Sequence, residues 1–499
     1  MSGLRDRLLR LRSTQAAQAE RLAGMPESPA ASSMENPVPS SINSPMPSSM
    51  DNPIDTSAVV PGPDIADGVA VHASIAFNNG VLRTSAGDDN RAAHADPKHV
   101  DEESEPHKQS LEPAWEELGV QLIESADGDF LVRESRYPLA HWHGSHRLAE
   151  LVETQPALAA FNRADSDDHG VMNLLFLDLE TTGLGVGAGN VPFMVGLAYM
   201  LDDMFIVKQM LIRHPAEERA MIGYLRALLP SFTHLVTYNG RTFDWPVLYN
   251  RFILHGHRSF EWNPVHIDLL HPSRSVWRNT LVSCRLSHVE EERLGIKRED
   301  DVPGSLAPAI YFQYLADANP EPLLGVFEHN ETDMLSLAAL AIRFGHFLGG
   351  GMGTRIPLPD EAEELLRTGL WLERMGKAEL AESLYARFAV HERPSAKCLC
   401  LLAERDKKCG NWHRAVLLWQ KAVHLSADLT WPDYEAHIEL AMYYEHRTKE
   451  LEQALLLAEQ ALEMAARRQA GHRVQSKRRT ELDLIRKRIE RLRLKRSKG

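Results

Sequence analysis

Four cysteines in 499 residues cannot build a disulfide framework. Cys398 and Cys400 stand two apart in a helical pattern, on different faces, so buried thiols are expected there rather than a metal pair. Long apolar runs are missing as well. None approaches the ~18 residues of a membrane span, and MSGLRDRLLRLR lacks the apolar stretch of a signal peptide, so a cytoplasmic protein without a membrane partner is expected. Positive charge is also short, because 55 Lys and Arg against 69 Asp and Glu leave a net charge of −14. That excludes a generally basic face. A nucleic-acid partner would be held by local basic patches and by metal ions.

The chain divides by composition. Residues 1–22 alternate Leu and Arg at helical spacing and read as a basic amphipathic helix. Residues 23–110 carry runs such as SSMENPVPSSINSPMPSSMDNP, which cannot bury enough apolar surface to offset chain entropy, so a disordered linker is expected. Order begins near Trp115 with a small α/β lead-in, VQLIES and GDFLVRES followed by HRLAELVE. MNLLFLDLE, FMVGLAYM and MFIVKQMLI then read as three strands, the last two joined by a Leu-Asp-Asp turn. AEERAMIGYLRALL is a helix, HLVTYN a strand, Asp244 opens a helix, and VHIDLL is a strand. This order predicts an α/β domain over 111–348, a mixed sheet with helices on both faces.

A Gly-rich linker, 349–358, precedes a change of period. Gly376, Ala381, Tyr385 and Ala389 recur 34 residues later as Gly410, Ala415, Trp419 and Val423, and the last three recur 39 residues on as Ala454, Ala458 and Leu462. Such spacing, stretched once around Thr430–Asp433, predicts all-α tetratricopeptide-like repeats over 359–466, which would recruit a protein partner. The tail, 467–499, holds 14 Lys and Arg against 3 acidic residues. It reads as a helix with the stripe Leu482, Ile485, Ile489 and Leu492, and its charge makes it a candidate grip on nucleic acid.

Three segments carry chemistry. In LFLDLETTGLG, Asp178 and Glu180 lie two apart on a strand and so project from one face. Paired carboxylates repel unless a cation separates them, and hard oxygen ligands suit Mg²⁺ or Mn²⁺. In HLVTYNGRTFDWPVL, Asp244 follows a strand and a turn, where it is either a ligand or a helix N-cap. In HNETDMLSLAAL, His329 stands four residues before Asp333, on the same helical face. A solvated aspartate and a helix-start histidine are the alternatives there.

Together these segments resemble the DEDD 3′–5′ exonuclease superfamily. The stretch HIDLLHPSRSVWRNTLVSCRLSHVEEERLGIKREDDVPG, with APAIYFQYL and HNETDMLSLAAL, resembles the YprB-type ribonuclease-H-like family of bacteria, whose members often carry tetratricopeptide repeats. The resemblance covers roughly residues 115–348. It implies a ribonuclease-H-like fold and a metal-dependent nuclease acting on DNA or RNA. Asp178, Glu180, Asp244 and Asp333 would be catalytic ligands of two Mg²⁺ or Mn²⁺ ions about 3.5–4 Å apart. His329 departs from the pattern: the superfamily has Tyr four residues before the last Asp, or His five before it. At the tyrosine's place the imidazole would orient or deprotonate a water. The rival expectation is a weakly catalytic or non-catalytic nucleic-acid-binding scaffold that recruits a partner through its repeats.

Other residues are weaker candidates. The glycines of GLGVGAGN lack the Lys-Ser/Thr of a phosphate loop. Arg285, Glu290 and Arg293 read as surface salt-bridge residues, Asp268 as a helix cap, and Tyr238 and Trp245 as core.

Overall fold

The structure is a computed structural model that describes residues 111–498 apart from 163–171, 184, 188, 427–432 and 471–475. The N-terminal helix and the linker expected over 1–110 lie outside the described residues, as does most of the stretch expected at Thr430–Asp433.

One sheet of seven strands organises the first part. In chain order the strands are β1 (Val120–Ser125), β2 (Gly128–Pro138), β5 (Leu174–Thr181), β6 (Pro192–Leu201), β7 (Met204–Leu211), β8 (His234–Thr237) and β9 (Val265–Asp268). Between them a small hairpin, β3 (Trp142–His143) with β4 (His146–Arg147), stands apart from the sheet. Across the sheet the order is β1-β2-β7-β6-β5-β8-β9. β5, β6 and β7 form an antiparallel meander, and β8 and β9 add parallel strands beside β5. The lead-in hairpin β1–β2 pairs with β7 and extends the meander by two strands.

Both faces are covered, which is why β5 is almost continuously apolar. Leu174 and Phe176 point to one core and pack with Met334, Leu337 and Ala338 of the long helix Leu323–Leu348. Leu175, Leu177 and Leu179 point to the other, against Met221 and Leu225 of helix Glu218–Leu228 and Leu248 of helix Asp244–Leu254. The fold is ribonuclease-H-like, as expected.

Helices alone follow. Ala362–Arg374 pairs with Ala378–Ala389, Ala396–Lys408 with Trp412–Ser426, and Glu435–Tyr443 with Leu451–Ala470. Each pair turns through a left-handed residue, Gly376, Gly410 or Lys449, at φ +76°, +82° and +65°. The recurring Ala381, Ala415 and Ala454 are all fully buried, as small residues at close helix crossings should be. Cys398 and Cys400 are buried free thiols. The last helix, Ser476–Lys498, packs on Leu451–Ala470 and buries Leu482, Ile485, Ile489 and Leu492. Its Arg488, Arg491 and Lys495 converge on the buried Glu445. Part of the tail's positive charge is therefore committed inside the protein. No helix among the described residues is long and apolar enough to cross a membrane.

Candidate metal and active site

Strand alternation decides where the first two acids go. Asp178 and Glu180 share the parity of Leu174 and Phe176, so they continue the face that meets the long helix. Opposite Asp178 on β6 stands Gly196. A Cβ there would collide with the side-chain amide of Asn330, so the glycine opens the space through which the long helix reaches the strand. Asn330 is fully buried and donates from Nδ2 to Asp178 Oδ2 at 3.1 Å. Its Oδ1 accepts from Gln209 Nε2 of β7 at 3.0 Å. Arg133 of β2 donates to Gln209 at 3.2 Å and pairs with Glu331 at 2.9 Å, and the Tyr137 hydroxyl donates to Glu331 at 2.6 Å. The lead-in hairpin thus supports Asp178 through a chain of hydrogen bonds.

Asp244 is placed by a tight turn. After β8 the backbone passes through Asn239 at φ +72° and Gly240, where a Cβ would lie 2.5 Å from Thr237. The buried Asp268, at the end of β9, clasps this turn by accepting from the backbone N–H of Asn239 (2.8 Å) and Arg241 (3.1 Å). It also accepts from Leu270 N–H at 3.1 Å, at the start of the next helix, whose cap position is held by Leu269 rather than by Asp268 as expected. Phe243 holds the cap position, and Asp244 itself is the first helical residue, buried with only 4 % exposed.

The long helix brings the rest. Ligand atoms of Glu180, His329 and Asp333 all lie within 4.8 Å of one another. His329 is not a helix-start residue, since the helix begins at Leu323. Its Nδ1 lies 2.8 Å from Asp301 Oδ1, and its Nε2 lies 3.5 Å from Asp333 Oδ2. Arg298 occupies the centre of this corner. It pairs with Asp333, with Asp301 at 3.2 Å and with both oxygens of Glu290 at 2.6 and 2.7 Å. Glu290 was expected at the surface; it is fully buried, because the Leu286–Leu294 segment turns it inward onto Arg298.

Crowded like charges show in the acidities. Burial first, then repulsion by Asp333, Asp244 and Glu180, holds the Asp178 carboxyl well above the usual carboxylate range. Burial pushes Glu180 up to about 8; Asp333, Asp244 and Asp301 push the same way and His329 opposes them. Asp244 is pushed up to about 7, by burial and then by Asp268 and Asp333, against backbone N–H groups that favour its charged form. For His329 burial favours the neutral ring, but Asp301, Asp333 and Glu180 outweigh it and raise the pKa. Converging buried carboxylate oxygens short of cations fit hard divalent ions such as Mg²⁺ or Mn²⁺.

All five residues singled out from the sequence therefore fall in one corner of the fold. Missing from that reading were Asn330, Gln209, Arg298 and Asp301. Asn330 sat inside the quoted HNETD motif, beside His329 and at the helical spacing that faces the strand. Arg298 and Asp301 lie in a loop with no periodicity, so only their convergence in space identifies them. Trp245 packs edge-to-face on Trp262 at 5.2 Å, and Tyr238 donates to the Cys284 carbonyl at 2.7 Å, both structural roles.

A profile of the RNase_H superfamily matches residues 175–344, the segment running from β5 through Asp333. Fold and profile together define a ribonuclease-H-like domain, a class of generally hydrolytic nucleases that typically use divalent metals. The Bacillus subtilis (strain 168) protein called "Uncharacterized protein YprB" is 36 % identical over 363 residues, which span 70 % of this chain and 85 % of that protein. The chain belongs to the YprB family.

Proposed function

We propose that the protein is a metal-dependent nuclease that hydrolyses phosphodiester bonds of DNA or RNA, as a 3′–5′ exonuclease of the DEDD type. The observation that carries this reading is the convergence of Asp178, Glu180, Asp244 and Asp333, three of them with pKa values raised by burial and by repulsion from neighbouring acids. These four residues would hold two Mg²⁺ or Mn²⁺ ions, which when bound supply a water of lowered pKa and offset charge on the phosphoryl oxygens. Asn330 fixes the rotamer of Asp178, and the Asp268-clasped turn fixes Asp244. Asp301 orients the His329 ring so that Nε2 faces Asp333 and the reacting corner; bound cations would offset the acids that raise its pKa, and the neutral ring would then take up or position a proton of the attacking water.

The same reading assigns a nuclease unit to 111–348, tetratricopeptide-like repeats to 359–466 as a docking platform for a protein partner, and a cytoplasmic location. The rival reading, a nucleic-acid-binding scaffold with a lapsed site, rests on Arg298, whose guanidinium already neutralises Asp333. End-labelled single- and double-stranded DNA and RNA, incubated with the protein in Mg²⁺, Mn²⁺ or EDTA, separate the two. Stepwise shortening from the 3′ end that stops in EDTA supports the nuclease. Binding without cleavage of any substrate in either metal supports the scaffold.

A further inference from the structure

The other end of the long helix carries a second ligand set, unlike the first in chemistry. His346 lies 13 residues beyond Asp333, which is about 20 Å along the helix at 1.5 Å per residue. There Glu150 Oε2 stands between two imidazoles, 2.9 Å from His346 Nε2 and 3.1 Å from His146 Nδ1. Ligand atoms of all three residues lie within 4.8 Å of one another.

The surroundings prepare this group. His146 is on β4, whose hairpin turns through Gly144 at φ +58° and is tied to the Leu294 carbonyl by Ser145 N–H at 2.8 Å. Helix Ala149–Thr154 carries Glu150 and crosses the long helix at Gly345, where a Cβ would lie 2.5 Å from Thr154. Past the helix end, a Cβ on Gly351 would lie 2.8 Å from His346 Nδ1, so the glycine leaves room for the ring. The Arg147 backbone N–H donates to Glu150 Oε1 at 2.9 Å, leaving Oε2 to face both histidines. His146 and His346 are 2 % and 5 % exposed, while the Glu150 side chain keeps 14 % of its surface open to solvent.

We propose that His146, Glu150 and His346 form a cation site for Zn²⁺, with the open side of Glu150 admitting a water as fourth ligand. Two imidazoles and one carboxylate are a borderline-soft donor set that suits Zn²⁺ over the hard ions of the carboxylate corner. Tetrahedral zinc bonds of about 2.0–2.2 Å place neighbouring ligand atoms roughly 3.3–3.6 Å apart, so the 2.9 and 3.1 Å contacts at Glu150 Oε2 would open by only a few tenths of an ångström to admit the ion. Bound zinc would staple the lead-in to the long helix that carries His329 and Asp333. The assignment stands apart from the nuclease reading.

The test uses the full chain carrying Asp178→Asn, Glu180→Gln and Asp244→Asn, which leaves only His329 and the Arg298-paired Asp333 of the first corner. After EDTA treatment, Zn²⁺ is added, the protein is desalted, and bound metal is measured; Co²⁺ is then titrated in place of zinc and followed by its visible absorption. One Zn²⁺ per chain is expected. His346→Gln and Glu150→Gln, added singly to this background, should each weaken it by on the order of 100-fold, at or beyond the upper end of what loss of a ligand's supporting residue costs. Glu150→Gln keeps the shape of the hydrogen-bonded clamp, so its circular dichroism and melting in EDTA should match the parent's. Absence of retained zinc, or retention that both variants leave unchanged, would reduce the trio to a hydrogen-bonded clamp and overturn the proposal.

Discussion

Glu445 and Asp178 are both acids withdrawn from water, and their neighbours treat them in opposite ways. Around Glu445 the chain supplies its own cations, Arg491 at 2.8 Å, Lys495 at 2.7 Å and Arg488 at 3.4 Å. Burial alone would raise its pKa, but the bonds to Arg491 and Lys495 prevail and hold it down at about 2. Around Asp178 stand Asp333, Asp244 and Glu180, and one amide donor from Asn330. The first acid pins a helix to its neighbour. The second belongs to a group that the chain leaves short of positive charge, which costs stability unless an outside cation completes it. Burial does not separate the two cases; the source of the compensating charge does.

The largest effect should come from the uncompensated group. Asp178→Ala and Asp244→Ala should fold normally and lose metal-dependent hydrolysis by on the order of 10³-fold, the scale of removing a main electrostatic stabiliser. Turnover by purified variants checks this, and unchanged hydrolysis by Asp178→Ala would remove the corner from the mechanism. His329→Phe should keep nucleic-acid binding while turnover falls about 10²-fold, the scale of a lost general base. His329→Tyr should recover part of that loss, and equal rates for parent and His329→Phe would leave the ring without chemical duty.

The compensated group should answer in stability instead. Glu445→Ala removes the shared partner of three cations and should cost about 1–2 kcal/mol in chemical denaturation, less than a fully buried pair because Arg491 and Lys495 keep nearly half of their side chains in solvent, with cleavage unchanged. A folded-state pKa of about 2 lies below the ordinary 4.5, so this contribution is full above pH 4.5 and fades as pH falls toward 2. The carboxylate corner should show the reverse sign. Glu180 and Asp244 have folded pKa values raised to about 8 and about 7, so the metal-free protein binds more protons folded than unfolded across that range. Its melting temperature should drop a few degrees as pH rises from about 5 to 9, and Glu180→Gln should flatten the slope. A metal-free melting curve that rises with pH over that window would contradict the charge crowding.

Much of this was legible in the sequence because it rests on period and apolar content. The succession of strands and helices along the chain, the Asp178–Glu180 face and the recurring Gly376 and Gly410 turns all follow from local pattern. Long-range pairing was not legible. Nothing local in GIKREDD tells that Arg298 will reach Glu290 and Asp333, or that Gly196 will make way for Asn330. The tail shows both cases. Its helix and apolar stripe follow from local pattern, but nothing local tells that Glu445, 43 to 50 residues away, absorbs three of its cations.

Under the proposed function, divalent cations complete the acids at 178, 180, 244 and 333. Titration of the EDTA-treated protein with Mn²⁺, followed by the electron paramagnetic resonance of the free ion, tests it most directly. Saturable binding is expected that raises the melting temperature, most strongly above pH 8 where the acids are ionised, and that is lost in Asp178→Asn with Asp244→Asn. Mn²⁺ binding of equal strength in parent and double variant would contradict it.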